Sequence, residues 1–446
     1  MTDLATASPC ETSTPNRLKP PRVRLPKLVQ GVGLTVSRRN TMRRWVRRYG
    51  RVFEFNVPFY GHCVAVSDPA LVRSIFTANP ERLTNYQPNL ANFFGPGSIF
   101  ALDGSRHHNR RRLIGPALHG RSLRHHEAII VDETLHESAN WPENKEFRIF
   151  EPMNRITLNV ILRTVFGAER ADLAELREIV PRYANLGSAI EKFMPVPKLR
   201  TKRYGPWSRM DDVRKAFDRI VFSLIDKAEA DPGLGERADV LALLLRSRND
   251  DGTAMSRQDI CDELITVIGA GNETTTSALS WTFERLRRHP DVLVELVREV
   301  DEGDSDFCRA TILEVLRVRP VIDLQGRRVS APHLDLGGWL IPHNYNVFLS
   351  LADLHENPEI FPHPERFDPT RFLGTKQPAP GWLAFGTGAR RCMGADFAIN
   401  EISVVLRTVL QKFQIHTDSA ADEKAYFRGV TYAPKRGGRV LVTRRK

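Results

Sequence analysis

Residues 256–289, SRQDICDELITVIGAGNETTTSALSWTFERLRRH, run without proline until Pro290 stops them. At 1.5 Å per residue they form a helical rod of roughly 50 Å. Apolar residues fall on several faces of that rod, so it has to pass through the body of the protein. Ser256, followed three residues later by Asp259, gives it a start like a capping box.

The rest of the chain organises around this element. RVFEFNVPFYGHCVAVSD predicts a two-stranded hairpin turning near Tyr60 and Gly61, and PALVRSIFTAN a helix begun by proline. From 127 to 248 the pattern is mostly amphipathic helix, with breaks expected at Pro152, Pro181, Pro195/Pro197 and Pro232–Gly233. After the rod come a helix, RATILEVLRV, and strands near 325–329, 334–340 and 346–350. A proline-rich stretch, a cysteine loop and the helix GADFAINEISVVLRTVLQKF follow. The fold class is mainly α with small β-sheets. A flexible Ser/Thr/Pro-rich tail is expected over 1–25 and a single domain over 26–446.

No stretch approaches the ~20 apolar residues of a membrane span, and no signal-peptide pattern is present, which predicts a soluble, cytoplasmic protein. The five cysteines are odd in number, widely spaced and form no C-x-x-C pair, against a disulfide framework or a cysteine zinc site. Net charge is +12, with arginines clustered in SRRNTMRRWVRRYG. Met42, Trp45, Val46 and Tyr49 recur there at helical spacing, so the arginines read as a solvated face. No nucleic-acid-binding signature accompanies them, and an acidic protein partner is the expected use of the charge.

FGTGARRCMGADFA, residues 385–398, carries the chemistry. A thiolate is a soft metal ligand that is costly to bury without donors or positive charge nearby. Gly388 and Gly394 let backbone N–H groups approach the sulfur of Cys392. Arg390 offers a fork of donors suited to a carboxylate, Phe385 can shield one side, and a helix N-terminus follows the cysteine. Such a loop suits a planar, iron-bearing cofactor with acidic side arms.

Phe385, Gly388, Arg390, Cys392 and Gly394, continued by Ala398 and Glu401, match the cytochrome P450 haem-binding pattern F-x-x-G-x-R-x-C-x-G. The chain resembles that family from about residue 20 onward, and its soluble bacterial, actinobacterial-like members most. The resemblance implies the family's prism-like helical body, with haem b between the long helix and the cysteine-loop helix. It makes Cys392 the thiolate ligand of the iron, pushing electron density toward bound oxygen.

Further motifs agree. Ala270-Gly271-Asn272-Glu273-Thr274-Thr275 matches the family's A/G-G-x-D/E-T-T/S, which makes Glu273 and Thr274 the residues that deliver protons to dioxygen. Gly269 and Gly271 are expected to clear room near the cofactor. Glu314 and Arg317 match E-x-x-R and share a helix face. With Arg371 from the proline-rich stretch they are expected to lock the segment leading to the cysteine loop. His107 and Arg111, on an early helix, and Arg328, with Arg327 as its alternative, are expected beside the haem carboxylates together with Arg390. Arg110 and Arg112 read as surface residues. Phe93, Phe94, Phe100, Val430 and Thr431 fall where the family lines its substrate pocket, or else belong to loop core. The implied reaction is insertion of one oxygen atom from O2 into an apolar small molecule. Its electrons come from a separate ferredoxin with its NAD(P)H reductase, since no dinucleotide-binding fingerprint is present. The alternatives are a peroxide-driven or isomerising relative, whose kind typically loses the acid–alcohol pair, and a haem sensor or carrier without turnover.

Overall fold

The computed structural model describes residues 18–58, 60–78, 81–86, 90–193, 205–249, 251–375 and 381–445. In chain order the elements are α1 (Lys27–Tyr49), β1 (Val52–Val57), β2 (Gly61–Val66), α2 (Pro69–Thr77), β3 (Leu83–Asn85), α3 (Leu90–Phe94), α4 (Gly104–Leu118), α5 (Arg121–Ser138), β4 (Phe147–Arg148) and α6 (Phe150–Phe166). Then come α7 (Ala174–Phe193), α8 (Pro206–Glu229), α9 (Val240–Arg246), α10 (Arg257–Arg288), α11 (Pro290–Glu302) and α12 (Asp306–Val318). Four strands follow, β5 (Leu324–Val329), β6 (His333–Leu336), β7 (Trp339–Pro342) and β8 (Asn346–Ser350). The chain closes with α13 (Leu351–His355), α14 (Ala395–Lys412), β9 (Phe413–Ile415), β10 (Ala425–Phe427), β11 (Tyr432–Pro434), β12 (Arg439–Val440) and β13 (Val442–Arg444). The protein is mainly α with small sheets.

Contacts divide the chain into two compact units, Met1–Thr84 with Arg327–Phe348, and Asn85–Gly326 with Leu349–Lys446. The smaller holds most of a five-stranded sheet ordered β1-β2-β8-β5-β3, in which β1 and β2 pair antiparallel with Val52 opposite Val66. Trp45 of α1 packs its ring on Phe53 and Phe55 of β1, which with Met42 buries one side of the C-terminal half of that helix. Residues 18–25 of the expected tail lie along this unit: Val23 is buried, and its N–H donates to the Glu54 carbonyl at 2.8 Å. The stretch read as one strand near 334–340 is a hairpin, β6 and β7. Gly337 and Gly338 take φ of 60° and 88° at its turn, a conformation open to residues without a side chain.

The larger unit is built on α10. Ser256 Oγ accepts from the Asp259 N–H at 3.0 Å, and the rod is buried on every side over most of its length. α6, α8, α12 and α14 pack against it around one core that includes Ile161, Leu264, Leu279, Leu316 and Val405. Two expected breaks fall inside helices. Pro152 occupies the first turn of α6, where a missing N–H costs no helical bond, and Pro181 lies within α7. The break at Pro195/Pro197 and the cysteine Cys10 lie outside the described residues.

Candidate functional site

α10 is buried from Ile260 to Ile268 and again from Thr275 to Arg287, but Gly269, Ala270, Gly271, Glu273 and Thr274 between them are only half-buried. The two glycines are not clear space. A Cβ on Gly269 would stand 2.9 Å from Phe94 Cε1, and one on Gly271 would stand 3.2 Å from Ile161 Cδ1, so neighbouring side chains fill the room they leave. Thr274 Oγ1 donates back to the Ala270 carbonyl at 2.7 Å. Glu273 turns elsewhere: its Oε1 accepts from Thr431 Oγ1 at 2.9 Å and Arg428 Nε at 3.2 Å, and the Arg428 guanidinium lies over the Phe150 ring.

The cysteine loop folds on its own backbone. Cys392 N–H donates to the Phe385 carbonyl at 2.8 Å, Gly386 and Gly388 take φ of 64° and 69°, and Phe385 packs edge-on against Trp382. Gly394 caps α14, and a Cβ there would meet open space. Of the described free cysteines, Cys63, Cys261 and Cys308 are buried and Cys392 is exposed. Burial raises its thiol above the ordinary value, while the Gly394 N–H and the positive charges of Arg391 and Arg111 oppose the rise.

The early helix separates its arginines. His107, Arg110, Ile114, Ala117 and Leu118 form the buried stripe of α4. Arg110 was read as a surface residue, and the structure corrects this: it is buried and bonds Glu263 Oε2 at 2.7 Å and the Gly97 carbonyl at 2.6 Å. Arg111, one residue on, faces the cysteine loop and donates to the Arg391 carbonyl at 2.7 Å. Arg390 spends donors on the Leu102 carbonyl at 2.5 Å and on the Asp103 carboxylate. Arg328 lies on β5 in the smaller unit and is exposed, and its neighbour Arg327 lies over the Phe76 ring.

Glu314 and Arg317 are fully buried and meet through two bonds of 2.7 Å. Arg317 also donates to the carbonyls of His355, Pro364 and Arg366, each at 2.9 Å. Arg371 Nε stands 3.5 Å from Glu314, and its other nitrogens bond the Pro362 and His363 carbonyls. Every partner except Glu314 is backbone of the proline-rich stretch or of His355, so the cluster clamps chain and has no reacting atom to offer.

Sequence reading missed what ties these parts together. Asp262 accepts from the Gly97 N–H at 2.8 Å and pairs with Arg214, and Glu263 accepts from the Ile99 N–H at 3.0 Å. The loop over residues 95–103 is thereby fixed to α10, while Arg390 fixes it to the cysteine loop. The stripe spacing from His107 to Arg110 and Ile114 was the one available signal, since the other partners lie far apart in sequence. Of the residues expected in a pocket or in loop core, Phe93 is buried and stacked on Trp207 at 5.4 Å, and Thr431 is buried against Glu273. Phe94 and Phe100 pack together at 5.6 Å, and Val430 is exposed.

An exposed cysteine residue whose thiol has a backbone donor and two guanidinium groups beside it fits a cofactor that binds metal through sulfur. No helix among the described residues is long and apolar enough to cross a membrane.

The family model for cytochrome P450 matches residues 20–439. Cytochrome P450 138 of Mycobacterium tuberculosis is 49% identical over 445 residues, covering all of both chains. Cytochrome P450 135B1 of the same organism is 36% identical over 95% of this chain and 91% of its own. Among solved structures, a retinoic acid-bound cyanobacterial CYP120A1 superposes with a TM-score of 0.85 at 20% identity, over 96% of this chain and 100% of that one. A cytochrome P450DA heme domain superposes with a TM-score of 0.81 at 21% identity, over 96% and 98%. Match and relatives span nearly the whole length, and the chain belongs to the cytochrome P450 family.

Proposed function

We propose that this haem monooxygenase inserts one oxygen atom from O2 into a C–H or C=C bond of an apolar organic substrate, with electrons supplied singly by a separate ferredoxin-type protein and its NAD(P)H reductase. The general class, a haem-dependent monooxygenase, follows from family membership. The cofactor is proposed to be haem b, since no C-x-x-C pair is present for covalent attachment. Bound haem supplies the oxygen activation.

The chain's own residues do the rest. Cys392 would hold the iron, stabilised as thiolate by the Gly394 N–H and by Arg391 and Arg111. Arg111 would meet an acidic side arm of the cofactor with the donors it does not give to Arg391, and His107 and Arg328 are proposed as further contacts. Arg390 divides its donors between such an arm and the Asp103 side of the loop. Thr274 and Glu273 move protons toward the oxygen side. Thr274 would accept at its oxygen while its own hydrogen goes to Ala270, and the Glu273 carboxylate would be oriented by Thr431 and Arg428. Retention of this acid–alcohol pair favours dioxygen over a peroxide-driven reaction. Phe94 and Phe100 suit an apolar guest. Three buried free cysteines suit a reducing compartment, and a cytoplasmic location is proposed. The excess positive charge suits an acidic electron donor.

The observation that carries this reading is Cys392, an exposed residue whose thiol lies beside the Gly394 N–H and the positive charges of Arg391 and Arg111. Cys392→Ser is expected to abolish the red-shifted absorption of the carbonyl complex that marks thiolate ligation. Retention of that band would assign the iron to another residue.

A further inference from the structure

The basic N-terminal helix has a face that the monooxygenase reading leaves unused. Leu28, Val29, Val32 and Val36 of α1 are 73%, 51%, 62% and 79% exposed, and Leu25 just before the helix is 47% exposed. At 100° per residue the four helical positions fall within an arc of about 100°, one continuous aliphatic stripe. The opposite side is pinned down. Gln30 is buried, donates to the Leu25 carbonyl at 2.6 Å and accepts from the Asn56 N–H of β1 at 2.8 Å. Gly31 sits so close to Pro58 that an added Cβ would lie 3.1 Å from its Cδ. The stripe therefore points outward from a helix that is already docked. The helical arm that carries it ends at Ser37, whose φ of −155° and ψ of 73° kink α1.

Charge selects the occupant. From Leu18 to Phe53 the sequence holds eleven lysines and arginines and no aspartate or glutamate, against a net charge of +12 for the whole chain. A second copy would bring the same charge against itself. A helix face is a ridge with no pocket for an anchoring side chain of a protein partner, whereas aliphatic ridges flanked by cations enter the boundary between lipid headgroups and acyl chains. We infer that α1 is a peripheral membrane-binding helix that lays Leu28, Val29, Val32 and Val36 into the surface of an anionic bilayer, with Lys19, Arg24, Lys27, Arg44 and Arg47 over the headgroups. A monooxygenase held there would meet apolar substrates where they partition.

The test is flotation of the full-length holoprotein with phosphatidylglycerol/phosphatidylcholine vesicles, and with phosphatidylcholine alone. Binding is expected only to the anionic vesicles. It should weaken as salt rises from about 0.1 M to about 1 M, where the screening length shrinks from ~10 to ~3 Å. The double variant Val32→Asp/Val36→Asp should bind about tenfold more weakly or worse, and Arg44→Gln/Arg47→Gln should bind more weakly with a shallower salt dependence. Both positions of the first pair are exposed, so an unchanged haem spectrum checks that the variant is folded. The inference is overturned if the holoprotein ignores anionic vesicles or if Val32→Asp/Val36→Asp binds them like wild type. It is equally overturned if that variant instead abolishes self-association, or binding to a ferredoxin, in lipid-free solution.

Discussion

Replacing Arg317 by alanine tests whether the buried clamp ahead of the cysteine loop holds the site together. The side chain is fully buried and makes two bonds to Glu314 and three to backbone carbonyls. Removing one partner of a buried ion pair costs about 3–5 kcal/mol, because the other charge is left unpaired. Each deserted carbonyl adds about 1 kcal/mol at the low end. Two features soften the loss. Burial already raises the Glu314 carboxyl, so it can take up a proton, and it keeps the Asp368 N–H at 2.9 Å and Arg371 at 3.5 Å. A net cost of about 5 kcal/mol remains, comparable to the whole stability of many domains. At roughly 1 kcal/mol per degree for a chain of this length, the thermal midpoint should fall about 5 °C, with a matching loss of folded, haem-loaded protein. Arg317→Lys should fall between, since a point charge cannot serve a fork of oxygens. Glu314→Gln/Arg317→Ala should be less damaged than the sum of its singles, because it leaves no stranded charge. A midpoint for Arg317→Ala within about 1 °C of wild type, or strictly additive singles, would refute the clamp.

The other predictions concern chemistry and pH. Thr274→Ala loses only a bond back to its own helix, so the protein should stay folded while less of the consumed NAD(P)H appears as product; unchanged coupling removes Thr274 from the proton path. Arg428→Ala leaves Glu273 with Thr431 alone, and turnover should slow and shift its pH profile while the thiolate carbonyl band stays; an unmoved pH profile makes Arg428 purely structural. Glu263 should make stability depend on pH. Burial, with the Asp262 charge beside it, pushes its carboxyl up to about 7 against the pull of Arg110 and the Ile99 N–H, and its Oε1 has no hydrogen-bond partner among the described residues. The folded state then holds this proton more tightly than the unfolded chain, so stability falls as pH rises from about 4.5 to about 7. Glu263→Gln should flatten that slope in denaturant midpoints, and an identical slope in both proteins would contradict the assignment.

Signals carried by neighbouring residues were legible, and those carried by distant ones were not. The rod expected over 256–289 is α10 over Arg257–Arg288, because Ser256 and Pro290 are local start and stop chemistry. Glu314 and Arg317 meet because three residues along a helix share a face. Arg110 was misread because its partner is 153 positions away, and no spacing encodes that pair. Gly269 and Gly271 were read as room for a cofactor, yet Phe94 and Ile161 fill it. A glycine reports that something approaches closely, and only the fold says what. Pro181 was read as a break, but the tertiary core around α7 keeps that helix continuous.

The same distant contacts would hold the proposed sulfur ligand and the proposed proton path at a fixed separation. Cys392 sits on a loop with three positive-φ or capping glycines, a segment with little rigidity of its own. Arg390 ties it to the carbonyl of Leu102 and the carboxylate of Asp103. The other end of that 95–103 loop is held by Asp262 and Glu263, which precede Thr274 by about three turns on the same helix. Helix α10 thus sets the position of the residues proposed to move protons and, through one short loop, also restrains the segment that presents the thiol. Loosening Arg390 would free the cysteine loop alone. Loosening Asp262 would free the 95–103 loop, which carries Phe100 and follows directly on Phe94, so the aromatic side of the site should move before the sulfur does.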